Sequence, residues 1–430
     1  MFHADSLEAW LTFLEAQHPK GQAGIELGLE RVRDVLQAMG LSSRLPFPVI
    51  TVAGTNGKGS SVAMLEAVLT AAGHRVGAYT SPHLLHYNER VRLKGREADD
   101  AALIRGFEHV EEARGGIPLT YFEFGTLAAL AVFVEARVDV AILEVGLGGR
   151  LDAVNVIDAD AALLTNVALD HVEWLGADRE AIGFEKVGVF RTGQIAVIAE
   201  REPPCSVLAH AEMLLLHPLR RGIDFDAQVT DGHWQWQGAG LSFELPRPAL
   251  AGAHQIDNAA GVVMLLVAML DRLSWSPEHL RTGLLAVCHP GRMQRLDVRG
   301  VPVWLDVAHN PAGVEALALA LEGLPRRGRT LAVFTALSDK DALGMAQRLA
   351  GQVDGWYLAG LEGPRGREAA ALAEMLQSAG LPVIGAWAQP RMAYTSALTD
   401  AHTDDRVLVF GSFLCVADVL AAIRGSDIEA

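Results

Sequence analysis

Cysteine is scarce in this chain. Three of 430 residues are cysteines, Cys205, Cys288 and Cys415, odd in number and far apart. They make no disulfide framework and no CxxC metal pair, so a reduced, cytoplasmic setting is expected. Lysine is also rare: Lys20, Lys58, Lys94, Lys186 and Lys340 stand against 31 arginines. No lysine-rich run appears and the net charge is −16, which disfavours nucleic acid as a partner, since such binders show a basic patch or stripe. Small anions remain admissible, because N–H groups and single cations can hold them on an acidic protein. Long apolar runs are missing too. The longest, "AAGVVMLLVAML" from Ala259 to Leu270, falls short of the roughly 20 residues that span a bilayer. It reads as a buried core helix, and no membrane partner is expected. The N-terminal "MFHADSLEAWLTFLEAQHPK" carries acids and lacks a continuous apolar segment, which predicts an amphipathic helix and not a signal peptide.

Half of the residues are hydrophobic and 20% are charged, so large cores can form, and the composition argues against disorder. The length suits two or three domains of roughly 100–200 residues each. Strand-like and helix-like segments alternate, which predicts an α/β fold with a mainly parallel sheet flanked by helices. "PFPVITVAG", "HRVGAYT", "VDVAILEVG", "ADAALLTNV" and "QIAVIAE" are apolar throughout, as strands covered on both faces should be. "DFDAQVTDGHWQWQGAGLSFELP" alternates polar and apolar residues, the pattern of an antiparallel hairpin or small edge sheet. A helical stretch follows, then "AVCHPGRMQRLDVRGVP", which holds Pro, Gly and arginines without helical periodicity and reads as a linker. A second, smaller Rossmann-like α/β series begins at "VPVWLDVAHN". The expected division is 1–287 for the first α/β domain, 288–299 for the linker and 300–430 for a C-terminal domain, with a cleft suited to joining two substrates.

The stretch "TVAGTNGKGSSVAML", Thr51 to Leu65, has the context of a phosphate loop: a buried strand, glycines, a lysine, hydroxyls and a helix, in that order. It departs from the usual G-x-x-x-x-G-K-[ST] form, because Gly59 separates Lys58 from Ser60 and Val52 stands where the first glycine belongs. Gly54, Gly57 and Gly59 let backbone N–H groups approach an anion. In a chain that otherwise chooses arginine, Lys58 keeps the compact charge that suits a phosphate. Ser81, Glu144 and His171 follow or end strands, on the side where α/β sheets bind ligands, and together favour a Mg²⁺ site, histidine being the least usual ligand. Lys186 in "DREAIGFEKVGVFR" reads either as a surface lysine beside Glu185 or as a site lysine; Asp178 caps that helix. Thr120 and Glu123 stand at capping-box spacing, while Tyr121, Phe122 and Phe124 are core aromatics whose place at a helix start leaves room for a flat substrate. In the second half, Asp306, His309 and Asn310 follow a strand and precede Pro311, which can open a helix. Arg292 either reaches a phosphate or is solvated in the linker.

The stretches "GTNGKGS", "SPHLLHYNERVRLKG", "YFEFGTLAALAVF", "ILEVGLGGRLDAVN", "ALDHVEWLG", "EKVGVFR", "HQIDNAA", "GRMQ", "DVAHNP" and "GSF" run in one order over nearly the whole chain. They resemble the folylpolyglutamate synthase family in its bifunctional bacterial form with dihydrofolate synthase activity, within the wider group of Mur-type ATP-dependent amide ligases. The irregular loop is that family's own form. The resemblance implies that Gly54, Thr55, Asn56, Gly57, Lys58, Gly59 and Ser60 hold ATP phosphates, and that Ser81, Glu144 and His171 hold Mg²⁺. It implies that Asn258, Arg292, Asp306 and His309 hold the nucleotide, and that Lys186 is carbamylated. Thr120, Tyr121, Phe122 and Glu123, with Leu151, Asp152 and Ala153, lie where bifunctional members hold the pterin substrate. Val154 replaces a family threonine and loses its hydroxyl. Glutamate is expected toward the second domain, near Ser412.

The implied catalytic residues are Lys58, Lys186 and His171. The implied substrates are dihydropteroate, tetrahydrofolate and L-glutamate, and the implied state is a monomer. A carboxylate is a poor electrophile; phosphorylation by ATP makes an acyl phosphate, which the amine of glutamate then attacks. Two ligase alternatives stay open, a folylpolyglutamate synthase alone and a Mur-type cell-wall amino-acid ligase. A nucleotide switch without ligation would need no second α/β domain with its own strand-end His and Asp.

Overall fold

The computed structural model describes residues 2–17, 24–230 and 232–428. The chain divides into two compact units. The first comprises Met1–Ala168, Val172–Ala249 and Ile256–Val287, the second Leu169–His171, Leu250–Gln255 and Cys288–Ala430.

The first unit is built on strands β1 (Val49–Ala53), β2 (Val76–Tyr79), β3 (Val91–Leu93), β4 (Arg96–Glu97), β5 (Val140–Glu144), β6 (Ala161–Leu164), β7 (Ile195–Ile198) and β8 (Leu219–Arg220). They form one sheet in the order β4-β3-β2-β5-β1-β6-β7-β8. From β2 to β8 the pairs are parallel; β3 and β4 add an antiparallel edge. Every residue of β1, β2, β5 and β6 is buried, which explains why their sequences are apolar runs without alternation. β1 lies between β5 and β6, with Val52 opposite Glu144 and Ala53 opposite Leu164. The loop leaving β1 is therefore flanked by the ends of two neighbours, the crevice where parallel sheets bind ligands. A three-stranded antiparallel sheet of β9 (Phe225–Val229), β10 (His233–Gly238) and β11 (Leu241–Pro246) completes the unit. Trp234 and Trp236 are its buried face, which accounts for the alternation in the sequence.

The second unit holds β12 (Gln294–Val298), β13 (Val301–Leu305), β14 (Thr330–Phe334), β15 (Gly355–Ala359), β16 (Val383–Trp387) and β17 (Arg406–Phe410). Their order is β12-β13-β17-β14-β15-β16, parallel except for β12, which runs antiparallel to β13. Residues 288–299, expected as a linker, thus contain an edge strand. Its alternating half-exposed pattern hides it from a reading that looks for apolar runs.

The helix after β1 spans Lys58–Ala71, and Gly73 follows it in a left-handed conformation (φ 89°). The N-terminal amphipathic helix is Leu7–Ala16 with Ser6 as its cap; residues 1 and 18–20 of that expected segment, and Asp231 of the expected hairpin, lie outside the described residues.

Candidate active site

The loop after β1 is shaped by close packing on its neighbours. Gly54 has φ 147°, and a Cβ there would lie 1.8 Å from Thr165 Oγ1; Gly57 has φ 83°, and a Cβ would lie 2.4 Å from Asn258 Oδ1. Both positions thus require glycine for conformation and for space. Lys58 Nζ donates to the carbonyls of Gly54 (2.9 Å) and Thr55 (3.0 Å). Lys186 is buried, and its Nζ donates to the same Gly54 carbonyl at 3.0 Å. Of its two sequence readings, the surface one is therefore excluded. Gly57 caps the helix Lys58–Ala71, so Lys58, Gly59 and Ser60 form its first turn, where N–H groups lack intrahelical partners. Asn258 meets the loop from the helix His254–Ala268.

Ser81 and Glu144 come together: the Ser81 N–H donates to Glu144 Oε2 at 3.2 Å. Glu144 is the last residue of β5 and is buried. The pair supplies a hydroxyl and a carboxylate beside the phosphate loop, the oxygen donors that Mg²⁺ accepts. Among the described residues no group of three or more His, Cys, Asp or Glu could hold a metal, which suits Mg²⁺, a cation that keeps several waters and takes phosphate oxygens.

Near them, Thr120 and Glu123 form the expected capping box: Glu123 N–H donates to Thr120 Oγ1 (3.3 Å) and Thr120 N–H to Glu123 Oε2 (2.8 Å). Glu123 also takes Arg31 Nε at 2.9 Å. Tyr121 is buried, and burial pushes its phenol up to about 12. The Phe122 ring lies over Gly146. Asp152 accepts N–H bonds from Leu147 (2.8 Å) and Val154 (3.0 Å) and caps the turn Ala153–Val156. Burial pushes its carboxyl up to about 7, against the pull of these N–H groups and the charge of Lys58. Phe122 and Asp152 thus flank residues 146–147; Ala153 is buried and Leu151 half-buried. Val154 is buried in the apolar cluster, which accounts for the missing hydroxyl.

In the second unit, Asp306 follows β13 and accepts N–H bonds from Met293 and Ala308, both 2.8 Å. Burial pushes its carboxyl up, with the Arg292 charge opposing. Arg292 lies 5.2 Å from the ring centre of Phe413, and His309 is 5.7 Å from the same ring. His309 Nδ1 donates to the Val307 carbonyl (2.9 Å), and its Nε2 is 3.3 Å from Asp170 Oδ2. Asn310 caps the helix that Pro311 opens and donates Nδ2 to Asp170 Oδ2 at 3.0 Å. Lys340, itself buried, forms an ion pair with Asp170. Burial pushes the Asp170 carboxyl up, but His309, His171 and Lys340 outweigh it and hold the carboxyl far below the usual range. His171 (φ 51°) belongs to this unit, its Nε2 3.9 Å from Asp170 Oδ2. Ser412 is buried, and its Oγ caps the Leu414 N–H.

Residues 52–266 match the Mur ligase middle domain, and residues 291–413 match the Mur ligase glutamate ligase domain. The dihydrofolate synthase/folylpolyglutamate synthase of Escherichia coli K12 is 45% identical over 423 residues, covering 98% of this chain and 96% of that one. This chain belongs to the dihydrofolate synthase/folylpolyglutamate synthase family of Mur ligases. The Haemophilus influenzae member is 40% identical, with 97% of this chain and 98% of the relative aligned. Among solved structures, Escherichia coli FolC in complex with DHPP and ADP superposes with a TM-score of 0.92 at 44% identity, covering 99% of this chain and all of that one. A bifunctional folylpolyglutamate synthase/dihydrofolate synthase with Mn, AMPPNP and L-glutamate bound gives 0.88 at 44% identity, covering 98% of both chains.

Five residues of this architecture escape the sequence reading: Thr165, Asn166, Asp170, Lys340 and Phe413. Asp170 and Phe413 lie inside stretches that carry the family resemblance, and Lys340 is one of only five lysines. Thr165 and Asn166 give no motif signal beyond their place at the end of β6.

Proposed function

We propose how these residues serve the activity of the family. The chain is an ATP-dependent carboxylate–amine ligase that joins L-glutamate to dihydropteroate and to tetrahydrofolates, using ATP and a divalent cation. The acceptor carboxylate attacks the γ-phosphorus of ATP, ADP leaves, and an acyl phosphate forms. The glutamate amine then attacks the acyl carbon, and inorganic phosphate departs as the amide forms. The observation that supports this reading best is the loop from Gly54 to Ser60, held at the end of β1 between β5 and β6. Its N–H groups and Lys58 hold the phosphates and meet charge as it moves to the leaving oxygen. Ser81, Glu144 and His171 are the proposed Mg²⁺ ligands; the bound cation would neutralise charge on the phosphate oxygens. Asn258, Arg292, Asp306 and His309 are the proposed nucleotide contacts. Thr120 to Glu123 and Leu151 to Ala153 are the proposed pterin subsite, where Phe122 offers a face for stacking and Asp152 and backbone groups offer hydrogen bonds. Lys186 is proposed to carry a carbamate, an anion next to Gly54.

No helix among the described residues is long and apolar enough to cross a membrane. A cytoplasmic monomer acting on small molecules is the proposed setting. The deciding experiment measures ADP release with ATP, Mg²⁺ and L-glutamate, offering dihydropteroate or a tetrahydrofolate. Glutamate-dependent turnover with both is expected, lost in Lys186→Ala. Turnover with the tetrahydrofolate alone would remove the synthase half, and turnover with neither would sink the proposal.

A further inference from the structure

The proposed ATP site has a second wall that the loop motif does not contain. All of it lies in the first unit, in the four residues after β6. The Thr55 N–H donates to the Asn166 carbonyl at 2.9 Å. Thr55 Oγ1 donates to the Ala168 carbonyl (3.1 Å) and accepts the Ala168 N–H (3.0 Å). Thr165 Oγ1 donates to the Asn56 carbonyl at 2.7 Å. The Asn56 N–H donates to Asn166 Oδ1 at 2.9 Å. The polar backbone of residues 55 and 56 is thereby tied to residues 165–168 before any ligand is considered.

The side-chain amide of Asn166 is the informative member. Its oxygen is assigned by the Asn56 N–H, because only Oδ1 can accept that proton. The amide nitrogen must then point the other way. Among the described residues Nδ2 donates to no protein acceptor, and Asn166 is only half-buried. Among the described residues these two N–H donors beside the glycine-rich turn thus have no protein acceptor, while neighbouring groups are consumed in holding the turn. A half-buried amide beside an anion site forms charge-assisted hydrogen bonds stronger than those it makes with water.

We infer that Asn166 is a phosphate-binding residue: Oδ1 fixes the loop through the Asn56 N–H, and Nδ2 donates to a phosphate oxygen of the nucleotide. The inference rests on the proposed ATP site and adds a residue outside its motif. Asparagine suits the task where aspartate would not, since a carboxylate could accept the Asn56 N–H equally well but would face phosphate with a like charge.

The test compares the wild-type chain with Asn166→Asp and Asn166→Ala by titration with AMPPNP and Mg²⁺, alongside thermal unfolding of each. The expected result is tight binding by wild type. Asn166→Asp is expected to raise the Kd about tenfold or more at an unchanged melting temperature. Asn166→Ala should weaken binding as well. If Asn166→Asp binds AMPPNP like wild type, the donor role is overturned. If wild type itself fails to bind AMPPNP, the ATP site falls and not merely this residue's part in it.

Discussion

Asp152 shows how burial and hydrogen bonding divide the work at one carboxyl. Its ordinary value is about 4, and burial takes it up to about 7 despite N–H donors from Leu147, Val154 and Gly146. Between those two values the folded state holds a proton that the unfolded chain has released. Folding stability therefore falls as pH rises through that window, in the sense required by proton linkage. Asp152→Asn removes the slope. Thermal scans from pH 4.5 to 8 should show the variant gaining on wild type as pH rises, and a constant difference would show that this carboxyl does not titrate there. The sequence names Asp152 through its family motif but not its chemistry, because burial depends on residues distant in the chain. Lys186 makes the same point. Spacing leaves it beside Glu185 on a helix, and only the fold carries its ammonium to Gly54. Thr165 and Asn166 are legible only once β6 is known to lie next to β1.

At the scale of elements, the turn between β1 and its helix depends on Gly57. Gly57→Ala places a methyl in a left-handed conformation and against Asn258 Oδ1, a conformational cost of about 1–2 kcal/mol before the clash is counted. Kinetics should show kcat/KM for ATP falling about tenfold or more as the loop loses its shape, and differential scanning should show a lower melting temperature. Unchanged ATP kinetics would mean the turn tolerates another conformation. Elements with strong local signals are legible in the sequence: the buried runs of β1, β5 and β6, the capping box at Thr120, the Asp178 cap, and the proline that opens the helix after Asn310. The elements that were missed are short or half-exposed. β3, β4 and β8 have two or three residues each, too few for a period to register. β12 is masked by Pro290 and Gly291 upstream and by its exposed alternate positions.

For the whole molecule, the division into units is not a division of the chain. The second unit includes Leu169–His171, far from its main segment. A fragment of residues 288–430 would therefore carry Lys340 without Asp170. Both side chains are less than a tenth exposed, and stranding one partner of a buried ion pair costs about 3–5 kcal/mol. The fragment should be unstable in urea titration, and Lys340→Met should recover part of the loss. A fragment as stable with Lys340 as with methionine would show that the pair is not needed. Boundaries drawn from sequence composition could not reveal this interruption, since three residues carry no compositional shift.

The same ion pair sets an order of events during synthesis. Asp170 and Lys340 are separated by 170 positions, so at roughly 5–20 residues per second the carboxylate leaves the ribosome roughly 10–30 s before its ammonium. Throughout that interval the first unit's central sheet already has β1 to β6 available to pair, while Asp170 lacks its ammonium partner. The second unit cannot close until translation has passed Lys340, which makes its assembly a late step that waits on a residue made early.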